Sequence, residues 1–264
     1  MLNSIGISIA ALAVLLAIML CGFAGFWLGK RSRPNDKEDA PFGIIQASAF
    51  GLVGLLLGFS FSIAVSRFDQ RRDITVREAN AIGRTALRVS LLDETDGRQM
   101  WTLMRSYAHT RLDFAAAGTK TGARISPGER SDMLQEQMWA TAMHAAARDP
   151  RSTMVPLFIQ ALNETIDVSG EQAAALDATI PESVLLIVVG VMLLAAALLG
   201  VSFARGALFE MGPFVLFGAM LALTFAVILD LDRPQRGLIR VPLTPLQKVV
   251  QQLEGPYPGV ASTR

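Results

Sequence analysis

Four stretches of the sequence lack any charged side chain, and each is long enough to cross a membrane as a helix. About 20 apolar residues in helical conformation span a hydrocarbon core about 30 Å thick. The pattern therefore predicts four transmembrane helices, at residues 1–29, 42–66, 183–204 and 211–229.

Two of these predictions leave an alternative open. Residues 1–29 could form a cleaved signal peptide. Their apolar part is longer than that of a typical signal, no basic residue precedes it, and Lys30, Arg31 and Arg33 follow it. We therefore favour a retained helix. Residues 211–229 form the shortest stretch, and a re-entrant element is the alternative to a full span.

The charged residues lie between and after these stretches. They fill a short loop at 30–41, an insert at 67–182 and a C-terminal tail at 230–264. The insert shows no alternation of apolar and polar residues of the kind that indicates strands. We therefore predict an all-α membrane protein with four transmembrane helices and a helical soluble domain inserted between the second and third spans.

Turn and capping signals divide the insert into helices. Ser126 and Pro127 begin a capping box with proline at the first helical position, and Gly170 is typical of a helix end. The second span is expected to continue to about residue 92. The predicted helices after it are 98–117, 126–148 and 153–168, with a loop at 119–125.

Aromatic and methionine side chains recur in the insert and predict a core between its helices. They are Trp101, Met104, Tyr107, Met138, Trp139 and Met143. Binding of a small apolar effector by the same side chains is the alternative.

Basic residues near the spans predict the orientation, because cytoplasmic loops are enriched in Lys and Arg. More of them flank the spans on the side of the insert than on the side of the two short loops. We expect a multi-pass protein of the inner (plasma) membrane with the insert in the cytoplasm. The uncharged N-terminus followed by a basic cluster favours the opposite orientation, so that alternative stays open. The net charge of +1 argues against nucleic-acid binding.

The sequence contains no motif of a soluble enzyme or of a metal site. His109 and His144 lie far apart without clustered Cys or carboxylates, and the lone Cys21 excludes an intrachain disulfide. The carboxylates of Asp93 and Asp96 are close in sequence, but their spacing matches no EF-hand loop, so we favour helix capping over a Ca²⁺ site. We expect no enzymatic activity, catalytic residue, cofactor or metal.

The second span has two contrasting faces. At 100° per residue, one stripe holds the small residues Ala47, Gly51, Gly54, Gly58 and Ser62. The other holds the bulky residues Leu52, Leu55, Leu56, Phe59 and Ile63. Gly54 and Gly58 form a small-xxx-small element, which lets helix backbones approach closely in lipid. We expect Gly54, Gly58 and Ser62 to pack against another helix, either within one subunit or between the copies of a symmetric assembly.

The same segment resembles the bestrophins. The residues that carry the resemblance are Leu57-Gly58-Phe59, then Arg67-Phe68, with Asn80 and Arg84 further along. The stretches at 54–72, 78–83 and 230–241 are similar to a bacterial group called bestrophin-like, and this similarity spans most of the chain.

The resemblance implies an architecture and a function. Bestrophins are homopentameric anion channels with four membrane helices per subunit and a large cytosolic helical part between the second and third. Their second helices surround a narrow apolar neck. By resemblance, Phe59, Leu55 and Gly51 line that neck, and anions such as chloride pass through it. Gly51 stands where that family has a bulky residue, so we expect this level of the neck to be wider.

Arginines follow the second span and are expected at the mouth of this pore. Arg67 and Arg71 lie one turn apart, and their charge would raise the local concentration of anions. Ordinary anchoring of the span by basic residues is the alternative, and Asp69 and Asp73 partly cancel the field.

Charged residues also close the fourth span. We expect Asp230 to pair with Arg233, or Asp232 with Arg236. A contact between subunits, made by these carboxylates with Arg84 or Arg88, is the rival interpretation.

The predicted function is a homo-oligomeric, bestrophin-like ion channel that contacts the lipid bilayer, further copies of itself and anions. The spans contain no ionisable group of the kind that marks proton relays and coupled transport. The alternative is a non-conducting membrane scaffold or sensor whose cytoplasmic helices bind a partner protein.

Overall fold

A computed structural model of the chain describes residues 6–31, 39–118, 121–205, 211–233 and 238–259. The described residues contain helices and no strand, as the sequence predicts. The helices are α1 (Ile7–Arg31), α2 (Asp39–Arg88), α3 (Glu94–Ala117), α4 (Thr121–Arg148), α5 (Val155–Asp177), α6 (Glu182–Arg205), α7 (Met211–Asp232) and α8 (Thr244–Leu253). A single 3₁₀ turn, Val89–Leu91, follows α2.

In the described part of the chain, four helical segments are long and apolar enough to cross a membrane, by length and composition. They contain α1, the first part of α2, α6 and α7; the third segment also includes α5, but its charge-free part is α6. The chain is therefore a multi-pass membrane protein. The fourth segment, for which a re-entrant element was the alternative, forms the continuous helix α7 of 22 residues.

The chain divides into two compact units. Residues 1–66 and 179–232 form one, called here the membrane unit, and residues 67–178 and 233–264 form the other, called the helical unit. The boundary after Ser66 falls where the second charge-free stretch ends. Helix α2 contributes its first part to the membrane unit and its second part to the helical unit.

Glycines bring α1 and α6 into backbone contact in the membrane unit. A β-carbon on Gly25 would overlap the backbone of Ala197, and one on Gly200 would overlap the backbone of Gly22 and Phe26. Close helix packing in lipid depends on small residues of this kind. Glycines thus bring the backbones of α1 and α6 together, whereas the sequence pattern drew attention to the glycines of α2.

The helical unit has its own hydrophobic core, built by the second part of α2 with α3, α4, α5 and α8. Its fully buried side chains include Ile82, Met100, Met104, Tyr107, Met138, Phe158 and Leu162. Helix α8, in the segment that the sequence analysis treats as a tail, buries Leu246, Val249, Val250 and Leu253 against this core.

The predicted core residues of the insert are only partly correct. Trp101, Met104, Tyr107 and Met138 are buried, but Trp139 is 38% exposed and Met143 is 48% exposed. Both follow Met138 on α4, and a helix turns by about 100° per residue, so they point away from the face that Met138 buries.

Several helix boundaries in the helical unit differ from the prediction. Helix α4 begins at Thr121, so Pro127 lies inside it and the predicted loop at 119–125 is wrong from residue 121 onward; residues 119–120 lie outside the described part. Arg124, which is buried, donates a hydrogen bond to Asp177 and lies over the ring of Phe114. These tertiary contacts favour the extra turn despite the proline inside the helix.

Helix α5 continues through Gly170 to Asp177 instead of ending near residue 168. Glycine inside a helix costs about 1 kcal/mol relative to alanine. Gln172, Ala175 and Leu176 are buried beyond it, and their packing offsets that cost.

Helix α3 begins at Glu94, four residues earlier than predicted. The Asp93 carboxylate accepts hydrogen bonds from the backbone N–H groups of Thr95 and Asp96, both at 2.9 Å. Asp93 therefore caps the helix, the role that the sequence analysis favoured for this cluster.

Candidate functional site

Helix α2 positions the residues that the sequence analysis singles out for a pore. In the membrane unit, α2 buries one narrow stripe of side chains, formed by Val53, Leu57, Ser60 and Ala64. Their spacing of four, three and four residues places them on a single face of the helix. Much of the remaining circumference of α2 is exposed in a single copy of the chain.

The small-residue stripe of α2 lies outside the packed interior of the subunit. Gly51, Gly54, Gly58 and Ser62 are exposed. A β-carbon built on any of the three glycines would meet no heavy atom of the described residues within 4 Å. Within the described residues, these three glycines therefore make no close packing contact in a single copy.

The bulky stripe of α2 is also largely exposed. Leu52, Leu55, Phe59 and Ile63 all present much of their side-chain surface, while Leu56 is half-buried. Apolar side chains in this number on one helix need lipid or another copy of the chain to cover them.

The three residues predicted for the neck share one side of α2. Gly51, Leu55 and Phe59 follow each other at intervals of four residues, so each step rotates by about 40° around the helix axis. All three are exposed in a single copy of the chain. The geometry therefore brings them together as a line along the helix, between the centres of the small and bulky stripes.

Arg71, predicted at the pore mouth, is buried in the helical unit. Its Nε donates to the carbonyl oxygen of Ala175 at 3.1 Å, and its Nη2 donates to that of Ala178 at 2.7 Å. These carbonyls end α5, where helix geometry leaves them without helical partners. Arg71 therefore caps α5, and this placement counts against a role at the mouth. Arg67, the other predicted mouth residue, is half-buried.

Acidic side chains follow the neck line along α2. Asp69 and Asp73 are exposed, and on a helix they fall on the same side as Gly51 and Leu55. The next basic residues on this side are engaged: Arg77 pairs with Glu171 at 2.7 Å, and Arg84 pairs with Glu164. Asp69 and Asp73 thus place negative charge on this side of α2, and the exposed Arg72 lies between them in the chain.

The carboxylates at the end of α7 are buried. Asp232 accepts a hydrogen bond from the backbone N–H of Ile180 at 3.0 Å, and Asp230 is also buried. Arg236, one of the predicted partners, lies outside the described residues. Of the arginines in the rival interpretation, Arg84 pairs with Glu164 and Arg88 donates to the carbonyl of Leu157 at 2.9 Å.

Both histidines contact carboxylates. His109 Nε2 lies 2.7 Å from Glu254, and His144 Nδ1 lies 3.0 Å from Asp96. The hydrogen bond from His109 lowers the pKa of Glu254. Each histidine joins two elements of the helical unit, α3 with the segment after α8, and α4 with α3.

A buried ionic network occupies the centre of the helical unit, and the sequence analysis did not identify it. Arg111 of α3 pairs with Glu78 of α2, with 2.5 Å between Nε and Oε1, and both side chains are almost fully buried. Burial raises the pKa of Glu78, against the opposing effect of Arg111. The sequence did contain a sign that Glu78 is buried. Glu78 lies one turn from each of Ile74 and Ile82, both of which are buried, so it lies on the apolar face of its helix.

Comparison with known proteins identifies the architecture. A family model described as "Bestrophin-like domain" matches residues 16–246. Two crystal structures of variants of a bacterial bestrophin homologue from Klebsiella pneumoniae match with a TM-score of 0.66, at 16% and 17% identity. A third structure of that homologue, phased with zinc, matches with a TM-score of 0.64 at 17% identity. Each match covers 94% of this chain and 97% of the other. No curated protein sequence matches the chain.

Proposed function

The chain belongs to the bestrophin-like family, and on that basis we propose that it assembles into a homo-oligomeric ion channel whose neck is lined by α2 of each copy. The family and fold are of a channel type rather than an enzymatic one. The resemblance to bestrophins implies five copies and anions such as chloride as the permeant ions, and the proposal includes both. We also propose that the channel lies in the inner membrane with the helical unit in the cytoplasm.

The observation that carries the proposal is the exposure of α2. Leu55 and Phe59 are 53% and 60% exposed in one copy, and the small stripe beside them is open. A ring of copies would cover both surfaces. Small residues allow the backbones of neighbouring helices to approach closely, and the line of Gly51, Leu55 and Phe59 would then face the central axis.

An apolar neck of this kind suits passive conduction. Apolar constrictions gate by dewetting, and the edge of a phenylalanine ring carries partial positive charge that a partly dehydrated anion can approach. No charged side chain occurs in the charge-free part of α2, residues 42–66. The neck itself therefore favours neither sign strongly, and charges beside it adjust the selectivity.

Ion flux into liposomes that contain the purified full chain tests the proposal. Replacing Phe59→Ala removes the largest side chain of the neck line, so we expect chloride flux or anion selectivity to change. Phe23→Ala is the matched control, because Phe23 of α1 is 62% exposed in the membrane unit but lies on a different helix. Absence of ion flux from the wild type, or a Phe59→Ala variant identical to it, would remove the proposal.

A specific observation favours the scaffold or sensor as a second candidate. Trp139 and Met143 are exposed on α4 of the helical unit, and exposed aromatic and methionine side chains are enriched at protein interfaces. Mass measurement in detergent separates the two functions. A ring of copies favours the channel, whereas a monomer or dimer favours the scaffold.

A further inference from the structure

Arg111 connects all the long helices of the helical unit. From α3, its guanidinium donates to Glu78 of α2, to Ser131 of α4 at 3.4 Å, and to two groups of α5. These are the side chain of Gln172 at 2.7 Å and the carbonyl of Ser169 at 3.3 Å. The ring of Phe114 lies 4.5 Å from the guanidinium carbon. A change in the charge of any partner is therefore felt by four helices at once.

Glu78 is the ionisable partner, and its two oxygens have different surroundings. Oε1 accepts the hydrogen bond from Arg111. Oε2 is buried and has no hydrogen-bond partner within the described part of the chain. A buried carboxylate oxygen without a donor is costly while the group is ionised, and it is the position that binds a proton most readily.

The groups that surround Glu78 leave Arg111 as the main opposing influence. Among the described residues, Arg111 of α3 is the charged group that acts on the pKa of Glu78, and Tyr107 of the same helix is a titratable group whose pKa Glu78 raises. The polar groups of α4 and α5 in the network are neutral, namely Ser131, Gln135, Ser169 and Gln172. Burial raises the pKa of Tyr107 above its usual value near 10, so Tyr107 stays neutral when Glu78 takes up a proton.

We propose that Glu78 is a proton switch: a proton from solvent binds Oε2, neutralises the carboxylate, releases Arg111 from α2, and changes the conductance of the channel. The reaction needs no other reactant, since Glu78 goes from charge −1 to neutral and Arg111 keeps its charge. This inference rests on the proposed channel function and adds its regulation.

The switch and the neck lie on the same helix. Phe59 and Glu78 both belong to α2, and no glycine or proline interrupts the chain between them. The two positions are 19 residues apart in the chain. Arg111 holds α2 against α3, α4 and α5 when Glu78 is ionised. Loss of that contact weakens the packing of α2 against these helices, although Arg71, Arg77 and Arg84 of α2 keep their own partners. The other part of the same helix carries the neck line.

Flux into liposomes at two pH values tests the switch. We expect wild-type flux to change by about fivefold or more between neutral and acidic pH, because burial raises the pKa of Glu78. Glu78→Gln keeps the shape of the side chain but cannot ionise, so its flux should be the same at both pH values. Glu171→Gln is the control, because Glu171 also pairs with an arginine but is half exposed; it should keep the pH response of the wild type.

Infrared difference spectra of the full chain give a readout that does not require conduction. Acidification should produce the stretch of a protonated carboxyl in the wild type that is missing in Glu78→Gln. If this band is not found, the switch is overturned whether or not the protein conducts. Conduction that is independent of pH, or a pH response that survives in Glu78→Gln, also overturns the switch but leaves the channel standing. A wild type that conducts at neither pH overturns the channel function, and with it the regulation of conductance.

Discussion

Removing the positive charge of Arg111 should strongly destabilise the helical unit. Arg111→Met keeps most of the side-chain volume but leaves Glu78, which is 0% exposed, without its counter-charge. Breaking a buried ion pair by removing one partner costs about 3–5 kcal/mol, because the remaining charge is uncompensated. For a domain of this size we expect a fall in Tm of about 6–20 °C.

The double variant Glu78→Met with Arg111→Met separates the charge effect from packing. Replacing both members of a buried pair by apolar residues is often neutral or stabilising, so the double variant should recover most of the loss. Arg98→Met is the matched control on the same helix. Arg98 pairs with Glu94 at 2.6 Å, but both side chains are more than half exposed, and pairs of that kind contribute at most about 1 kcal/mol.

The destabilisation in Arg111→Met should also depend on pH. Burial keeps the native pKa of Glu78 above its unfolded value, so the native state holds the proton more tightly. A group of this kind contributes stability that is present below the unfolded pKa and is lost as the pH rises through the native pKa. Arg111→Met should therefore be closer to the wild type in acid than at neutral pH.

Thermal unfolding of the purified full chain in detergent, followed by tryptophan fluorescence, measures these differences. Trp101 lies in the core of the helical unit and reports its unfolding. The reasoning is refuted if Arg111→Met lowers Tm no more than Arg98→Met does. It is equally refuted if the double variant is as unstable as Arg111→Met alone, since the loss would then come from packing.

Three further predictions concern other parts of the chain. Gly200→Ala should lower the free energy of unfolding by about 1–3 kcal/mol, because its β-carbon overlaps the backbone of α1. Gly54→Ala meets no atom of its own copy and should leave the packing within that copy unaffected; thermal unfolding of the purified full chain in detergent compares the two. The double variant Asp69→Asn with Asp73→Asn removes the negative charge beside the neck line, so the ratio of anion to cation permeability from reversal potentials should rise; an unchanged ratio would separate these residues from the pore. Asp93→Ala removes the cap of α3 and should cost about 1 kcal/mol. Since the hydrogen bond from Asp96 lowers the pKa of Asp93, that stabilisation should be lost as the pH falls through the lowered pKa, and a urea titration at two pH values checks it.

The membrane spans were predictable because a single local property, the absence of charged residues over a sufficient length, determines them. A charge-free stretch of sufficient length has no good alternative to a helix when it lies in lipid. Within the described residues, α1, α2, α6 and α7 each contain most or all of one charge-free stretch. The cap formed by Asp93 was predictable for a similar reason, because its hydrogen bonds join groups only two and three residues apart.

Helix boundaries within the helical unit were less predictable, because local signals there compete with tertiary contacts. Proline at 127 and glycine at 170 both indicate helix ends, and both lie inside helices. In each case buried side chains beyond the signal, such as Arg124 and Leu176, contribute more than the local penalty. Such contacts join residues distant in sequence, and a local pattern does not contain them.

The sequence by itself determined the fold class, the four spans, the family resemblance and the line of Gly51, Leu55 and Phe59 on one side of α2. Each of these follows from residue order along a single helix or stretch. The tertiary structure alone decided that this side of α2 is exposed, that Arg71 caps α5, and that Glu78 and Arg111 meet in the interior. The local sequence around a charged residue does not show whether its side chain faces water or pairs with a partner more than 30 residues away, because only packing determines what surrounds it.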